Sequence, residues 1–251
     1  MRSSERPREQ PEPPASEPLA PWLVTMAEFV HAQTHPTVPR HVPEITLRLS
    51  ADLVPLWDRI ERDTALRGGP PYWALAWPAG LALARHLLDN PALVAGRRVL
   101  DFAAGSGLVG IAAAKCGAAR VTAYDIDPLA TIAILLNAEA NGVEIAARPD
   151  NLLAPDSRFD PTDVDVVLAG DICYEPNLAK HGFALLERCH AAGCHVLVSD
   201  PGRPDLPTAR LTRLSAHEVP VTPLCQYVTA GGGDAADDAS VIPAAVWTFA
   251  V

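Results

Sequence analysis

The sequence predicts an α/β fold with a seven-stranded, mostly parallel sheet, an antiparallel C-terminal hairpin and an N-terminal cap. Three observations predict it. From about residue 93 onward, short β-branched apolar runs alternate with helical stretches of nine or more residues, the pattern of parallel strands joined by right-handed crossovers. An apolar strand at 97–102 ends in a small-residue turn, Asp101-Phe-Ala-Ala-Gly105-Ser-Gly107, that opens into an apolar helix. The last two apolar stretches, by contrast, have only the Gly/Asp-rich segment 230–239 between them and no helical signal, so they must be antiparallel neighbours.

Taken in order, residues 1–20 read as a disordered proline-rich tail. They lack the apolar stretch of a secretory signal, and Glu5, Glu9, Glu12 and Glu17 argue against an organellar transit peptide. Residues 21–92 form the expected cap, with helices at Leu23–His31 and Leu53–Ala65 and a strand at Ile45–Leu49. The second helix places Leu53, Leu56, Trp57 and Ile60 on one face. A Trp-rich loop at 70–80 then runs into a helix at Leu81–Leu88, stopped by Asn90-Pro91. The core, 93–251, is expected to hold strands at Arg98–Phe102, Arg120–Asp125, Ile145–Arg148, Val164–Ala169 and His195–Asp200. Between and after them fall helices at Leu108–Cys116, Pro128–Asn141, Asn177–Ala192 and Pro204–Leu214, and His217–Val221 with Val241–Phe249 closes the sheet.

Composition narrows the function. Thirty acidic against twenty basic residues oppose a sequence-independent nucleic-acid binder and favour a basic or amine-bearing partner. No apolar run is long enough to span a bilayer, so no membrane partner is expected. The five cysteines (116, 173, 189, 194 and 225) contain no CxxC pair. They read as small buried hydrophobes in a reducing cytoplasm rather than as a disulfide framework or zinc site. His31 and His35 are four apart, with nothing nearby to complete a site, so no metal is expected.

Gly105-Ser-Gly107-Leu-Val-Gly110 matches GxGxxG, and Asp125 follows about twenty residues after the first glycine, the dinucleotide fingerprint. Asp101, however, ends the strand four residues before Gly105, and Ala103 takes the first small position. A carboxylate there repels a pyrophosphate and welcomes a cationic amine, which points to S-adenosylmethionine (SAM). Asp125 suits neighbouring ribose hydroxyls, with Ile126 beside it. Asp127 reads as the N-cap of the next helix. Asp150 and Asn151, ending the third core strand, face an adenine amino group or form a plain turn. After Gly170, the segment Asp171-Ile-Cys-Tyr174-Glu175 puts two carboxylates and a phenol where a ligand's reactive end lies. That set suits an aliphatic ammonium, although Asp171 or Glu175 could instead cap the following helix. Trp73 and Trp77 are either packing anchors or walls of the cofactor pocket and an ammonium cage.

Val99–Gly107, Tyr72–Pro78, Asp125–Pro128, Asp171–Glu175 and Ser199–Arg203 together resemble the seven-β-strand, Rossmann-like class I protein methyltransferases. The likeness runs over about residues 40–251 and is greatest to the lysine methyltransferases of the electron transfer flavoprotein beta subunit. It implies SAM as donor and a protein lysine as acceptor, in that flavoprotein subunit near its recognition loop. It also implies that modification lowers electron exchange with partner dehydrogenases, and that Asp171–Tyr174 is the family's acidic-x-x-aromatic signature. A nicotinamide-dependent oxidoreductase, a small-molecule methyltransferase and a non-catalytic SAM-fold binding protein remain open at this level.

Overall fold

The structure, a computed structural model, describes residues 21–64, 66, 69–220 and 241–250, and of 21–24 only the backbone. Its main sheet has seven strands: β3 (Arg98–Phe102), β4 (Arg120–Tyr124), β5 (Ala146–Arg148), β6 (Val166–Gly170), β7 (His195–Asp200), β8 (Leu211–Pro220) and β9 (Val241–Phe249). They run in the order β5-β4-β3-β6-β7-β9-β8, so the order reverses between β3 and β6. The first five are parallel, and β9 pairs antiparallel with both β7 and β8. A second, two-stranded sheet in the cap pairs β1 (His35–Thr37) with β2 (Leu47–Leu49).

Alternation along β3 sends its side chains to two separate cores. Val99 packs with α3 (Pro78–Asp89) and α4 (Leu108–Lys115), whereas Leu100 and Phe102 pack with α6 (Pro176–Ala191). Helix α3 falls within the segment read as the cap, yet it contacts α4, β7 and β9 as a layer of the main sheet. The remaining cap elements, α1 (Pro21–Gln33), α2 (Leu53–Asp63) and the turn Tyr72–Ala74, gather on α5 (Pro128–Ala140).

Two asparagines of α5 lock the cap to the core. Asn137 is fully buried; its Oδ1 accepts from Arg48 N (2.7 Å) and its Nδ2 donates to Ser106 O (2.8 Å) in the glycine turn. Asn141 accepts from Thr46 N and donates to Thr46 O. An unpaired buried amide would cost about 1–3 kcal/mol, so these bonds fix where strand β2 sits against the turn.

One expected helix is absent. Pro204–Leu214 forms turns instead, with a short 3-10 segment at Thr208–Arg210, and β8 begins at Leu211 rather than at His217. Pro204 and Pro207 each remove a helical donor, while pairing with β9 from Leu211 to Pro220 gives the backbone a full ladder. A bulge between Arg213 and Ser215 sets Leu214 outside that register. Strand β1 was not anticipated. Cys173, Cys189 and Cys194 are buried free thiols and Cys116 is half-buried; Cys225, the tail 1–20 and the segment 230–239 lie outside the described residues.

Candidate active site

The crevice where the strand order reverses opens at the carboxyl ends of β3, β4 and β6, the position at which α/β sheets hold ligands. There a cavity of about 820 Å³ is lined by residues from both the cap and the core, a volume within the range of small-molecule and cofactor pockets.

The glycine turn forms one wall. Gly105 has φ +53, and a Cβ there would lie 3.8 Å from the Trp73 Cα, so cap backbone closes over core backbone. Gly107 has φ +78, and an added Cβ would come within 3.1 Å of Ile134; only glycine suits both demands. Among the described residues, only Ala103 (φ 55) and Asp171 (φ 58) are non-glycines in the left-handed region, and both line the cavity. Strain of about 1–3 kcal/mol at each is held by the surrounding structure.

Asp125 follows β4 and braces the turn, its Oδ2 accepting from Gly105 N (2.8 Å) and its Oδ1 from Asp127 N (3.0 Å). Burial raises its pKa above the ordinary carboxylate value. Asp127 caps α5, as its spacing predicted, by accepting from Leu129 N at 2.8 Å. Ile126 is 70% exposed beside the cavity. Asp150 and Asn151 are exposed and line the cavity too, with Asn151 Oδ1 accepting from Leu153 N.

Asp101 and Gly107 were expected to face the ligand but do not line the cavity. Asp101 is 1% exposed, and its Oδ2 accepts from Gly110 N (2.8 Å) inside α4. Strand alternation is the reason: it turns Asp101 to the same side as Val99, under α4, while Phe102 on the other face reaches the cavity, as does Ala103 beyond the strand end, where φ turns positive. Burial, with Asp125 nearby adding to it, pushes the carboxyl up to about 7 against the pull of the Gly110 amide.

At the reactive end, Gly170 closes β6 and a Cβ on it would lie 3.3 Å from the Gly80 Cα. Asp171 Oδ1 accepts from Arg203 Nε (2.8 Å), and Asp171 Oδ2 is buried without a hydrogen-bond partner. Glu175 lines the cavity, but its carboxylate is the N-cap of α6, accepting from Asn177 N (2.9 Å) and Leu178 N (2.7 Å). The expected catalytic placement of Glu175 therefore gives way to capping: orphan amides at a helix start take the nearest carboxylate. Tyr174 is 47% exposed, and its ring meets Tyr72 at 5.2 Å; Tyr72 in turn meets Trp77 at 5.5 Å. Trp77 Nε1 donates to Tyr72 O (2.8 Å), which fixes this aromatic row. Trp73 is 1% exposed within the cap core, so it both anchors the cap and lines the cavity.

Sequence reasoning assigned no role to Tyr72, His181 or Arg203, all of which line the cavity. Tyr72 and Arg203 stood inside quoted motifs, but their side-chain partners lie far away in sequence. Among the described residues no group of three or more His, Cys, Asp or Glu could hold a metal ion, and no helix is long and apolar enough to cross a membrane.

Comparison with known proteins adds identity to this geometry. Residues 83–174 match the family described as ribosomal protein L11 methyltransferase (PrmA). A solved Pyrococcus horikoshii protein, an RNA-methyltransferase candidate, shares the fold with a TM-score of 0.50 at 17% identity, over 74% of this chain and 90% of that one. The chain is 41% identical over 164 residues to the electron transfer flavoprotein beta subunit lysine methyltransferase of Homo sapiens, covering 64% of this chain and 60% of that protein. Its match to the Rattus norvegicus enzyme of that name is 34% identical over 245 residues, 92% of this chain and 90% of the relative.

SAM fits the residues present. Gly105 and Gly170 line the cavity without side chains, and the half-buried carboxylates of Asp125 and Asp127 at the cavity favour a ligand carrying positive charge. The GxGxxG motif is thus set in a methyltransferase and not in an oxidoreductase. On its fold, its site and its likeness to the rat protein over nine-tenths of each chain, the chain is a SAM-dependent methyltransferase of the electron transfer flavoprotein beta subunit lysine methyltransferase family.

Proposed function

We propose that this enzyme methylates lysine side chains of a protein, the electron transfer flavoprotein beta subunit, in the cytoplasm, with neither nucleic acid nor membrane as partner. The observation that carries the reading is the corner at Asp171: a cavity carboxylate with one unpartnered oxygen, beside a row of three aromatic rings. An alkylammonium on an apolar stem matches that corner through a charge-assisted hydrogen bond and cation–π contact. The relatives' names supply the acceptor, and the chain's acidic balance supports a protein rather than a nucleic acid.

In this reading the cap, 21–92, supplies the aromatic wall and the core, 93–251, the cofactor floor. Asp125 takes the ribose hydroxyls, Ile126 covers one face of the adenine, and Asp150 and Asn151 meet its amino group. Trp73, Ala103, Gly105 and Gly170 shape the remainder, while Asp101 and Gly107 hold the turn from behind. When bound, SAM supplies a methyl group on a sulfonium.

The chain's own residues then position and desolvate the acceptor. A free lysine is neutral in about one part in ~2,500 at pH 7, a penalty of roughly 4.6 kcal/mol. The Asp171 carboxylate orients the amine, and Tyr72, Trp77 and Tyr174 exclude water from it. Once one ammonium proton has left to water, the nitrogen lone pair would form the N–C bond as the donor's C–S bond breaks, its electrons passing to sulfur, and the product would stay a methylated ammonium.

The test is tritiated SAM with wild-type enzyme or Asp171→Asn, in lysate of cells lacking the gene, followed by mass spectrometry. Wild type should label the flavoprotein beta subunit on lysine. Asp171→Asn should leave it unlabelled while binding S-adenosylhomocysteine within about threefold of wild type, since its side chain meets the acceptor and not the cofactor. Label confined to a metabolite or lipid fraction, or no transfer at all, would overturn the reading.

A further inference from the structure

The ion pair at the reactive end raises a chemical question. An isolated carboxylate beside the acceptor would bind the ammonium and hold it protonated, opposing the reaction; an adjacent positive charge would relieve this.

Several features aim Arg203 at that task. Its backbone is pinned by Asp200, whose Oδ1 accepts from Gly202 N (2.7 Å) and Arg203 N (2.6 Å), with Gly202 at φ +96 making the turn. Strands β6 and β7 are paired with Gly170 opposite Ser199, and Asp171 N donates to Ser199 O (2.9 Å). The residues that follow the two strand ends are therefore neighbours by construction. Arg203 Nε reaches Asp171 Oδ1 at 2.8 Å, with the side chains 21% and 7% exposed, so water screens the pair poorly. Both residues line the cavity. One Asp171 oxygen is thus occupied and neutralised, and the other is left without a partner.

We infer that Arg203 is a positioning residue that holds the Asp171 carboxylate at the acceptor end of the cavity and offsets its charge, so that the bound amine is released to its neutral form. The inference rests on the acceptor being an amine, as proposed above, and on no particular protein carrying it.

Two measurements test it. The first uses n-butylamine as a stand-in for the lysine side chain, titrated by NMR into the enzyme saturated with S-adenosylhomocysteine at pH 7. Removing the positive charge with Arg203→Gln should tighten butylammonium binding about tenfold, because Asp171 is no longer offset. The double variant Asp171→Asn/Arg203→Gln should lose that gain, and Arg203→Lys should stay within about threefold of wild type, since its charge remains. Retained S-adenosylhomocysteine affinity in each variant reports that the fold is intact.

The second is the pH dependence of kcat with the flavoprotein subunit. Its acid limb should move about one unit to higher pH in Arg203→Gln, giving about tenfold lower kcat at pH 7 with no rise in KM for the acceptor. A merely structural role would raise KM and leave the limb in place. Unchanged or weaker butylammonium binding in Arg203→Gln, a Lys variant that behaves like Gln, or an unmoved acid limb would each overturn the inference. If amine binding responds as stated but wild type transfers no methyl to the flavoprotein subunit, the substrate assignment falls and the role of Arg203 stands.

Discussion

At the amino ends of the strands, Arg98, the first residue of β3, meets Asp165, which precedes β6. Its Nη2 and Nε donate to the two carboxylate oxygens at 2.7 and 3.1 Å, and its backbone N donates to the second of them at 2.8 Å. Both side chains are about two-fifths exposed, and the Arg98 guanidinium holds the Asp165 carboxyl down at about 2. At the carboxyl ends the order is reversed. Asp101, Asp125, Asp127 and Asp200 all sit above the usual carboxylate range because burial disfavours their charge, and Asp171 alone has an arginine partner. One edge satisfies its charges and is left to water; the other gathers carboxylates of which Asp171 alone has a counter-charge, where a cationic ligand is to lie. The difference teaches that the site is held ready at the expense of the apo fold, and that ligand binding should return what was given up.

Asp101→Asn gives the largest expected effect. The folded state raises this carboxyl from 3.8 to about 7, so its contribution to stability is complete below about pH 4 and is lost as pH climbs through 7. Wild type should therefore be about 4 kcal/mol less stable at pH 8 than this one group would make it at pH 4. Asparagine can keep the bond from Gly110 N and cannot ionise. The gap in stability between variant and wild type, read from urea unfolding, should swing in the variant's favour as pH rises from 5 to 8. His41, His86 and His217 cluster near α3 and β8 with pKa values lowered mainly by burial, so their contribution is lost as pH falls. They act equally on both proteins and cancel in the difference. A gap that does not change with pH would show that Asp101 is not charged at a cost, and the contrast between the edges would weaken.

Asp125→Ala comes next. It removes the acceptor of Gly105 N and of Asp127 N together, and with it the proposed ribose contact. Charge-assisted hydrogen bonds of this kind are worth about 1.5–3 kcal/mol, so affinity for S-adenosylhomocysteine by calorimetry should fall roughly a hundredfold. Stability of the apo protein should change much less, because a half-buried, poorly hydrated carboxylate is removed along with its bonds. Unaltered affinity would take Asp125 out of the cofactor site.

These two residues also show what could be read without coordinates. Strands Arg98–Phe102 and His195–Asp200 fall where the sequence predicts them, because both faces of a central parallel strand are buried and its apolar run is unbroken. Asp101 lay at the predicted strand end but on the other side of it. Period-2 alternation with Val99 carried that information, outweighed by the attraction of a carboxylate next to a glycine turn. The helix expected at 204–214 failed because a ladder with β9, about thirty residues away, was invisible to local pattern. Glu175 is a helix cap for a local reason, three residues' reach to a free amide, and was legible as one alternative. The pairing of Arg203 with Asp171 depends on strand register and so needed the sheet.

Asp165→Asn should have the smallest effect, and it probes the opposite edge. The folded state lowers this carboxyl from 3.8 to about 2, so its contribution is present above about pH 4 and is lost as pH falls toward 2. At pH 7 the pair is intact but solvent-screened, and exposed ion pairs of this kind contribute little. The asparagine Oδ1 can still accept from the Arg98 backbone N–H. Thermal unfolding at pH 7 should therefore show Tm lowered by no more than about 2 °C, and 1 M salt should shrink even that difference by screening the native pair. A fall in Tm as large as the pH-driven swing at Asp101 would place the stabilising charges at the amino edge. The carboxyl edge would then be no costlier than the rest of the sheet, and a ligand binding there would have no deficit to make good.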